Sequence, residues 1–122
     1  AQVIALAEAV NYLEICLEKH DNSLNEYSLE KMQSIDGISI YGSASERTPI
    51  ISFNIEGVHS LDLAHFLDYE GITIRSGHHC CQPLMKALDI TACARVSFYF
   101  YNNAEEVDFL VEKINKAIQV IK

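Results

Sequence analysis

The segment Gly77-His78-His79-Cys80-Cys81-Gln82 places two imidazoles directly before two thiols. A cysteine is nucleophilic as its thiolate, which nearby cations and free backbone amides favour. A glycine in such a segment lets the backbone bend close to a ligand. The cluster therefore supports two readings equally well: a reactive cysteine on a turn, or structural histidines beside packed cysteines.

Two other chemistries fit these residues less well. Histidine and cysteine are zinc ligands, but four adjacent residues cannot readily close a tetrahedron and the chain supplies no second spaced pair. A disulfide between Cys80 and Cys81 would close a strained ring. No metal site is expected, and Cys16 and Cys93, which stand among apolar residues at helix or strand spacing, are expected to be packing thiols.

The cluster lies in the one part of the chain that is not acidic. Residues 71–103 hold Arg75, Lys86 and Arg95 against Asp89, whereas the rest holds six basic and sixteen acidic residues. The formal charge of the chain is −8, which disfavours nucleic acids and anionic membranes as partners. No apolar run approaches the roughly 20 residues that span a bilayer. Free thiols fit a reducing, cytoplasmic setting.

The periodicity of apolar residues predicts helices at both ends of the chain around a small antiparallel sheet, an α+β fold in a single domain over residues 1–122. The first two predicted helices cover residues 2–19 and 23–35, and Gly37 follows the second. The third is capped by Ser60 and stops at Gly71, and the fourth runs from Pro83 to Leu88. The last covers about 18 residues after Asn103, with Glu106 completing its cap. The predicted strands cover residues 38–41, 51–55, 72–75 and 96–101, with a loop from Gly42 to Pro49.

The first helix raises a separate expectation. Its apolar stripe begins almost at Ala1, without a capping residue before it, so we expect the chain to be a piece of a longer one. A stripe without its partner would favour self-association.

Three segments together resemble one enzyme family. They are Ile74-Arg75-Ser76-Gly77-His78-His79-Cys80-Cys81-Gln82-Pro83-Leu84-Met85, Ala94-Arg95-Val96-Ser97 and Tyr101-Asn102-Asn103-Ala104-Glu105-Glu106-Val107-Asp108. The chain resembles the C-terminal small domain of SufS-type (group II) cysteine desulfurases, which are pyridoxal-phosphate enzymes of the aminotransferase class V family with the type I fold. The likeness covers nearly the whole chain.

The resemblance implies a role for each residue that matches the motif. Cys80 would be the nucleophile that takes sulfur from cysteine, leaving alanine and a persulfide. Arg95 would bind the substrate carboxylate, and Arg75 would line the site or hold the loop. Gly77, His78 and His79 would shape the site. Cys81 replaces the small residue, usually alanine, that the family places after its nucleophile, while the position before Gln-Pro favours Cys80.

The resemblance also implies what lies elsewhere. The cofactor's Schiff-base lysine and its other anchors belong to a large domain, so no cofactor-binding residue is expected in this segment and the isolated chain should be inactive. The partners implied are L-cysteine or selenocysteine, a sulfur-acceptor protein of the SUF system for iron–sulfur cluster assembly, the large domain and a second subunit. The alternative, from another class, is a standalone module that carries a persulfide made elsewhere.

Overall fold

The computed structural model describes residues 1–17, 23–42 and 48–122, which form five helices and four strands. The helices are α1 (Gln2–Leu17), α2 (Ser23–Gln33), α3 (Ser60–Tyr69), α4 (Gln82–Ala87) and α5 (Ala104–Ile121), and the strands are β1 (Ile38–Tyr41), β2 (Ile50–Ile55), β3 (Arg75–Gly77) and β4 (Cys93–Ser97). The α+β class is confirmed. The predicted end of the first helix, residues 18 and 19, and most of the predicted loop after Gly42 lie outside the described residues.

The four strands form one antiparallel sheet in the order β1-β2-β4-β3. Phe53 on β2 pairs with Ile40 on β1 and with Ala94 on β4. Because side chains alternate between the two faces of a strand, these residues share one face. Ser52 and its cross-strand neighbours lie on the opposite face.

The first face of the sheet is covered by α2, α3 and α5, and the hydrophobic core lies between them. The largest fully buried side chains are apolar and come from both layers: Phe53, Met32, Leu63, Leu67, Ile114 and Val107. The stripe predicted for the last helix is confirmed, since α5 buries Val107, Leu110 and Ile114. The second face is left for α4, whose Leu84 and Met85 line a cleft together with Ser52 and Arg95.

Two predicted strands are displaced. The strand expected at residues 72–75 begins only at Arg75, because the amide of Ile72 donates to the carbonyl of Leu67 (2.8 Å) and so completes the end of α3. Ile72 and Ile74 pack against the core from outside the ladder. The alternation of Ile72 and Ile74 with polar residues therefore reflects their packing against the core and does not indicate strand pairing.

The strand expected at residues 96–101 runs instead from Cys93 to Ser97. The chain turns away after Phe98, because the side chain of Asn102 accepts a hydrogen bond from the amide of Tyr99 (2.8 Å) and the amide of Asn102 donates to the carbonyl of Tyr99 (2.9 Å). The aromatic alternation over residues 98–101 thus belongs to a turn.

The start of α3 also differs from the prediction. His59 caps this helix, with its Nδ1 accepting from the amide of Leu61 at 3.3 Å. Ser60 is the first helical residue and is buried. The sequence favoured Ser60 because serine is the commoner cap.

Helix α1 exposes its apolar side chains, as expected for an apolar stripe without a partner in the described part of the chain. Val3 and Ile4 are each more than three quarters exposed, and Leu6 is 65% exposed. Tyr12, whose ring lies edge-on to Phe100 at 6.5 Å between centroids, is a contact between α1 and the turn after β4. Within the described ranges, no helix has both the length and the apolar character needed to cross a membrane.

The cap of α5 gives a direct test of the fold. The side chain of Asn103 accepts from the amide of Glu106 (2.9 Å), and the carboxylate of Glu106 accepts from the amide of Asn103 (3.1 Å). We expect Asn103→Ala to lower the free energy of unfolding by about 1 kcal/mol, and Asn103→Asp to preserve it. Urea unfolding measures both. The control is Asn115→Ala on the exposed middle of α5, where alanine should be neutral or slightly stabilising; equal losses at both positions would contradict the capping role.

Candidate active site

The loop between β3 and α4, residues 77–81, is held in an unusual backbone conformation and is called the cysteine loop below. Gly77 has a φ of +116°, and His79 and Cys80 have φ of +54° and +58°. A left-handed conformation costs a residue with a side chain about 1–2 kcal/mol. The amide of Cys81 donates to the carbonyl of His78 at 2.9 Å, which closes the turn. Pro83 in the first turn of α4 confirms the predicted start of that helix.

His79 fastens the cysteine loop to β4. Its Nε2 lies 3.0 Å from the carbonyl oxygen of Cys93. Because a carbonyl only accepts, the geometry assigns a proton to Nε2 and leaves Nδ1 as the acceptor of a neutral ring. Nδ1 is buried and has no hydrogen-bond partner within the described part of the chain. Burial, with Arg95 and Arg75 nearby, lowers the pKa of His79 below its ordinary value.

Two arginines face each other across the ladder at the base of the loop. Arg75 on β3 pairs with Arg95 on β4, and Arg95 pairs in turn with Ser52 on β2. Like charges directly opposite each other in an antiparallel pair repel. The Nε of Arg95 is buried without a hydrogen-bond partner among the described residues. The pair therefore forms a local cationic site with an unfilled donor, which suits a carboxylate.

Cys80 is exposed and opens onto a wide cleft of about 620 Å³. Its sulfur lies 3.9 Å from Nη2 of Arg75, within donor range for a sulfur acceptor. Ser76, Gly77, His78 and Pro83 also line this cleft. An exposed thiol beside a guanidinium is the environment of a reactive cysteine.

A second, more enclosed cleft of about 440 Å³ lies on the other side of the cysteine loop. It is lined by Arg95, Cys81, Cys93, Met85 and Ser52 among others, and His79 lines both clefts. Cys93 is buried, and burial raises the pKa of its thiol. It is thus a packing thiol, whereas Cys16 on α1 is only half-buried.

The structure places every predicted site residue on the cysteine loop or on the β3–β4 pair, but in two clefts. Arg75, Gly77, His78, His79 and Cys80 line the first cleft, and Arg95 lines the second. Sequence reasoning missed the second cleft and with it Ser52. The alternation in β2 puts Ser52 on the polar face, but only the register with β4 brings it beside Arg95.

The described residues do not by themselves fit a pyridoxal-phosphate site. Neither cleft is lined by a lysine. Lys31 pairs with Asp108, and Lys113 and Lys116 pair with Glu70. Over residues 1–17, 23–42 and 48–122, no group of three or more histidine, cysteine or acidic side chains could hold a metal ion. The two clefts offer thiols, imidazoles and guanidinium groups.

Comparison with known proteins gives a consistent result. The aminotransferase class-V family matches residues 1–110. Probable cysteine desulfurases from Halalkalibacterium halodurans and Staphylococcus epidermidis are 44% and 45% identical to the chain, over 95% of its length. The chain spans only 29% of the length of these relatives.

Solved structures show the same fold. The apo cysteine desulfurase of Thermococcus onnurineus NA1 superposes with a TM-score of 0.86 at 31% identity, over 96% of this chain and 30% of that one. The cysteine desulfurase CsdA of Escherichia coli, in an S-sulfonic acid form, gives 0.76 at 27% identity over 87% of this chain and 28% of that one. The expected likeness to this enzyme class is confirmed.

The lowered pKa of His79 predicts a pH-dependent stability. Because the folded chain binds the proton less readily than the unfolded chain, the free energy of unfolding should fall as the pH drops below about 6.5, the unperturbed value. His79→Gln keeps an amide donor for the carbonyl of Cys93 but does not titrate. Urea unfolding between about pH 5 and 8 should show a smaller pH slope for this variant than for the wild type. Parallel slopes would contradict the burial of a neutral imidazole.

Proposed function

The chain belongs to the aminotransferase class-V family, and from that premise we propose that it is the C-terminal domain of a pyridoxal-phosphate-dependent cysteine desulfurase. The observation that carries the proposal is the exposed Cys80 thiol, 3.9 Å from the guanidinium of Arg75 on a loop fastened by His79. The relatives named probable cysteine desulfurases support it.

The proposed role of Cys80 is to accept sulfur. Its thiolate forms an S–S bond to the sulfur of the substrate cysteine while the Cβ–Sγ bond of that cysteine breaks. The electron pair of the broken bond goes to Cβ, which takes up a proton, so the products are alanine and a persulfide on Cys80. Arg75, whose Nη2 lies 3.9 Å from this sulfur, would hold it in place before the attack. Pyridoxal phosphate, when bound to the rest of the enzyme, supplies the electron sink that activates this bond.

The proposed role of Arg95 is to hold the substrate carboxylate. A planar guanidinium can donate two parallel hydrogen bonds to a carboxylate, and a bound anion would relieve the repulsion between Arg95 and Arg75. The Nε of Arg95, which is buried and has no hydrogen-bond partner among the described residues, supports this role. Gly77 and His78 would shape the loop that faces the substrate.

The wider setting of the enzyme is part of the same proposal. The cofactor would be anchored by a large domain and the active enzyme would be a cytoplasmic homodimer. Its persulfide would pass to an acceptor protein of the SUF system for iron–sulfur cluster assembly, and cysteine or selenocysteine would be the substrate. The proposal of a separate large domain is supported by the relatives named probable cysteine desulfurases, of whose length the chain spans only 29%.

The central test uses the full-length protein that carries this chain, loaded with pyridoxal phosphate and given cysteine. We expect Cys80→Ser to abolish alanine formation and the mass gain of about 32 Da that one persulfide sulfur adds. Cys16→Ser on α1 is the matched control and should retain both. Alanine formation by Cys80→Ser at the wild-type rate would overturn the proposal.

A companion experiment separates a domain from a standalone carrier. The 122-residue chain given pyridoxal phosphate and cysteine should release no alanine, but should gain about 32 Da when incubated with an active desulfurase and cysteine if it carries persulfide on its own. Robust turnover by the chain alone would contradict a cofactor site outside it. Sulfur gain without any effect of Cys80→Ser on the full-length enzyme would favour the carrier.

Arg95→Lys tests the carboxylate site. Lysine keeps the charge but loses the second parallel hydrogen bond, and a hydrogen bond to a charged group contributes about 1.5–3 kcal/mol. We expect the apparent affinity of the full-length enzyme for cysteine to fall at least about tenfold. Lys86→Arg on α4, outside both clefts, is the control. An unchanged KM in Arg95→Lys would show that another group binds the carboxylate.

A further inference from the structure

The adjacent thiols of Cys80 and Cys81 allow a second transfer of the sulfur atom after the persulfide has formed. Resting on the proposed function, we propose that Cys81 is a second sulfane-sulfur site, loaded by intramolecular transfer from the persulfide of Cys80. The two thiols line different clefts, with Cys80 in the wide cleft and Cys81 in the enclosed one, and His79 forms part of the wall of both.

Chain geometry favours transfer over a disulfide. Consecutive Cα atoms lie about 3.8 Å apart, which is shorter than the separation of about 4.4–6.8 Å usual for a disulfide. During transfer the moving sulfur stands between the two cysteine sulfurs, which are then separated by roughly twice an S–S bond, about 4 Å. Cys80 and Cys81 can therefore exchange a sulfur without closing the strained ring of a disulfide.

Each thiol has a cation suited to its part in the transfer. Arg75, 3.9 Å from the sulfur of Cys80, stabilises the thiolate that is released there. Arg95 lines the same cleft as Cys81, and its Nε is buried without a hydrogen-bond partner in the described part of the chain, so it would stabilise the persulfide formed there. Leu84, Met85 and Leu88 supply an apolar wall to that cleft, and the thiol of Cys81 is exposed.

The transfer is balanced without an added oxidant or reductant. The thiolate of Cys81 attacks the outer sulfur of the Cys80 persulfide, forming one S–S bond as the other breaks. The electron pair of the broken bond stays on the sulfur of Cys80 as a thiolate, and the outer sulfur keeps its proton. Cys80 is then free to accept again, so one chain could hold two sulfane sulfurs.

The test uses the 122-residue chain and glutathione persulfide as the donor, so that neither cofactor nor cysteine turnover is needed. The chain is loaded briefly, freed of donor by desalting, and sampled over time by alkylation and mass spectrometry that resolves Cys80 from Cys81. We expect sulfur on Cys80 to decrease and sulfur on Cys81 to increase by the same amount, at a rate unchanged by dilution. In Cys81→Ser and Cys81→Ala the sulfur should stay on Cys80.

Two controls complete the design. Cys80→Ser should load Cys81 several-fold more slowly than the wild type does, and Cys16→Ser should behave as the wild type. Sulfur that remains on Cys80 in the wild type, a transfer rate that rises with chain concentration, or equally fast loading of Cys81 in Cys80→Ser would each overturn the proposal. These failures leave Cys80-dependent alanine formation intact, so they are distinguishable from failure of the proposed function.

Discussion

The pairing of β3 with β4 is the interaction on which the site depends. Three residues of β3 pair with β4, placing Arg75 opposite Arg95 and Gly77 opposite Cys93. The imidazole of His79 is hydrogen-bonded to the carbonyl of the same Cys93. The cysteine loop is therefore held twice by one strand, which itself lies between β2 and β3 in the sheet.

The core supports the site through β4. Ala94 and Val96 are buried against the helical layer, so β4 cannot move without disturbing the core. The residue between them, Arg95, lies on the opposite face. Packing of one face of β4 in the core therefore fixes the position of Arg95 on the other face. The proposed carboxylate site requires such a fixed position.

Local features of the sequence predicted local structure well. The cap of α5 by Asn103 and Glu106, the start of α4 at Pro83 and the cysteine loop itself each involve residues close together in the chain, so spacing alone suffices. The juxtaposition of Arg75 with Arg95 joins residues twenty positions apart. It follows from strand register, which the apolar pattern did not specify because Phe98 is buried, and Ile72 and Ile74 are partly buried, outside the ladder.

Residue type alone does not tell which of the four cysteines has a reactive thiol. Cys93 and Cys80 have the same side chain, yet burial raises the pKa of the first while the second is exposed beside a guanidinium. From the sequence, Cys80 could be distinguished from Cys93 as the reactive thiol only by the motif around Cys80. Cys80 and Cys81 also line different clefts, and the left-handed backbone at His79 and Cys80 that precedes Cys81 could not be read from residue types.

Charge distribution sets the site apart from the rest of the chain. The segment from residue 71 to 103 has a small positive excess in an otherwise acidic chain, and the repulsion between Arg75 and Arg95 makes that excess locally unfavourable. An isolated domain would be more stable with a neutral residue at either position. An anion bound between them would offset that repulsion and could accept from the Nε of Arg95, which is buried without a hydrogen-bond partner among the described residues. The proposed binding of a carboxylate at Arg95 thus gives a physical reason for two arginines that strand pairing places opposite each other.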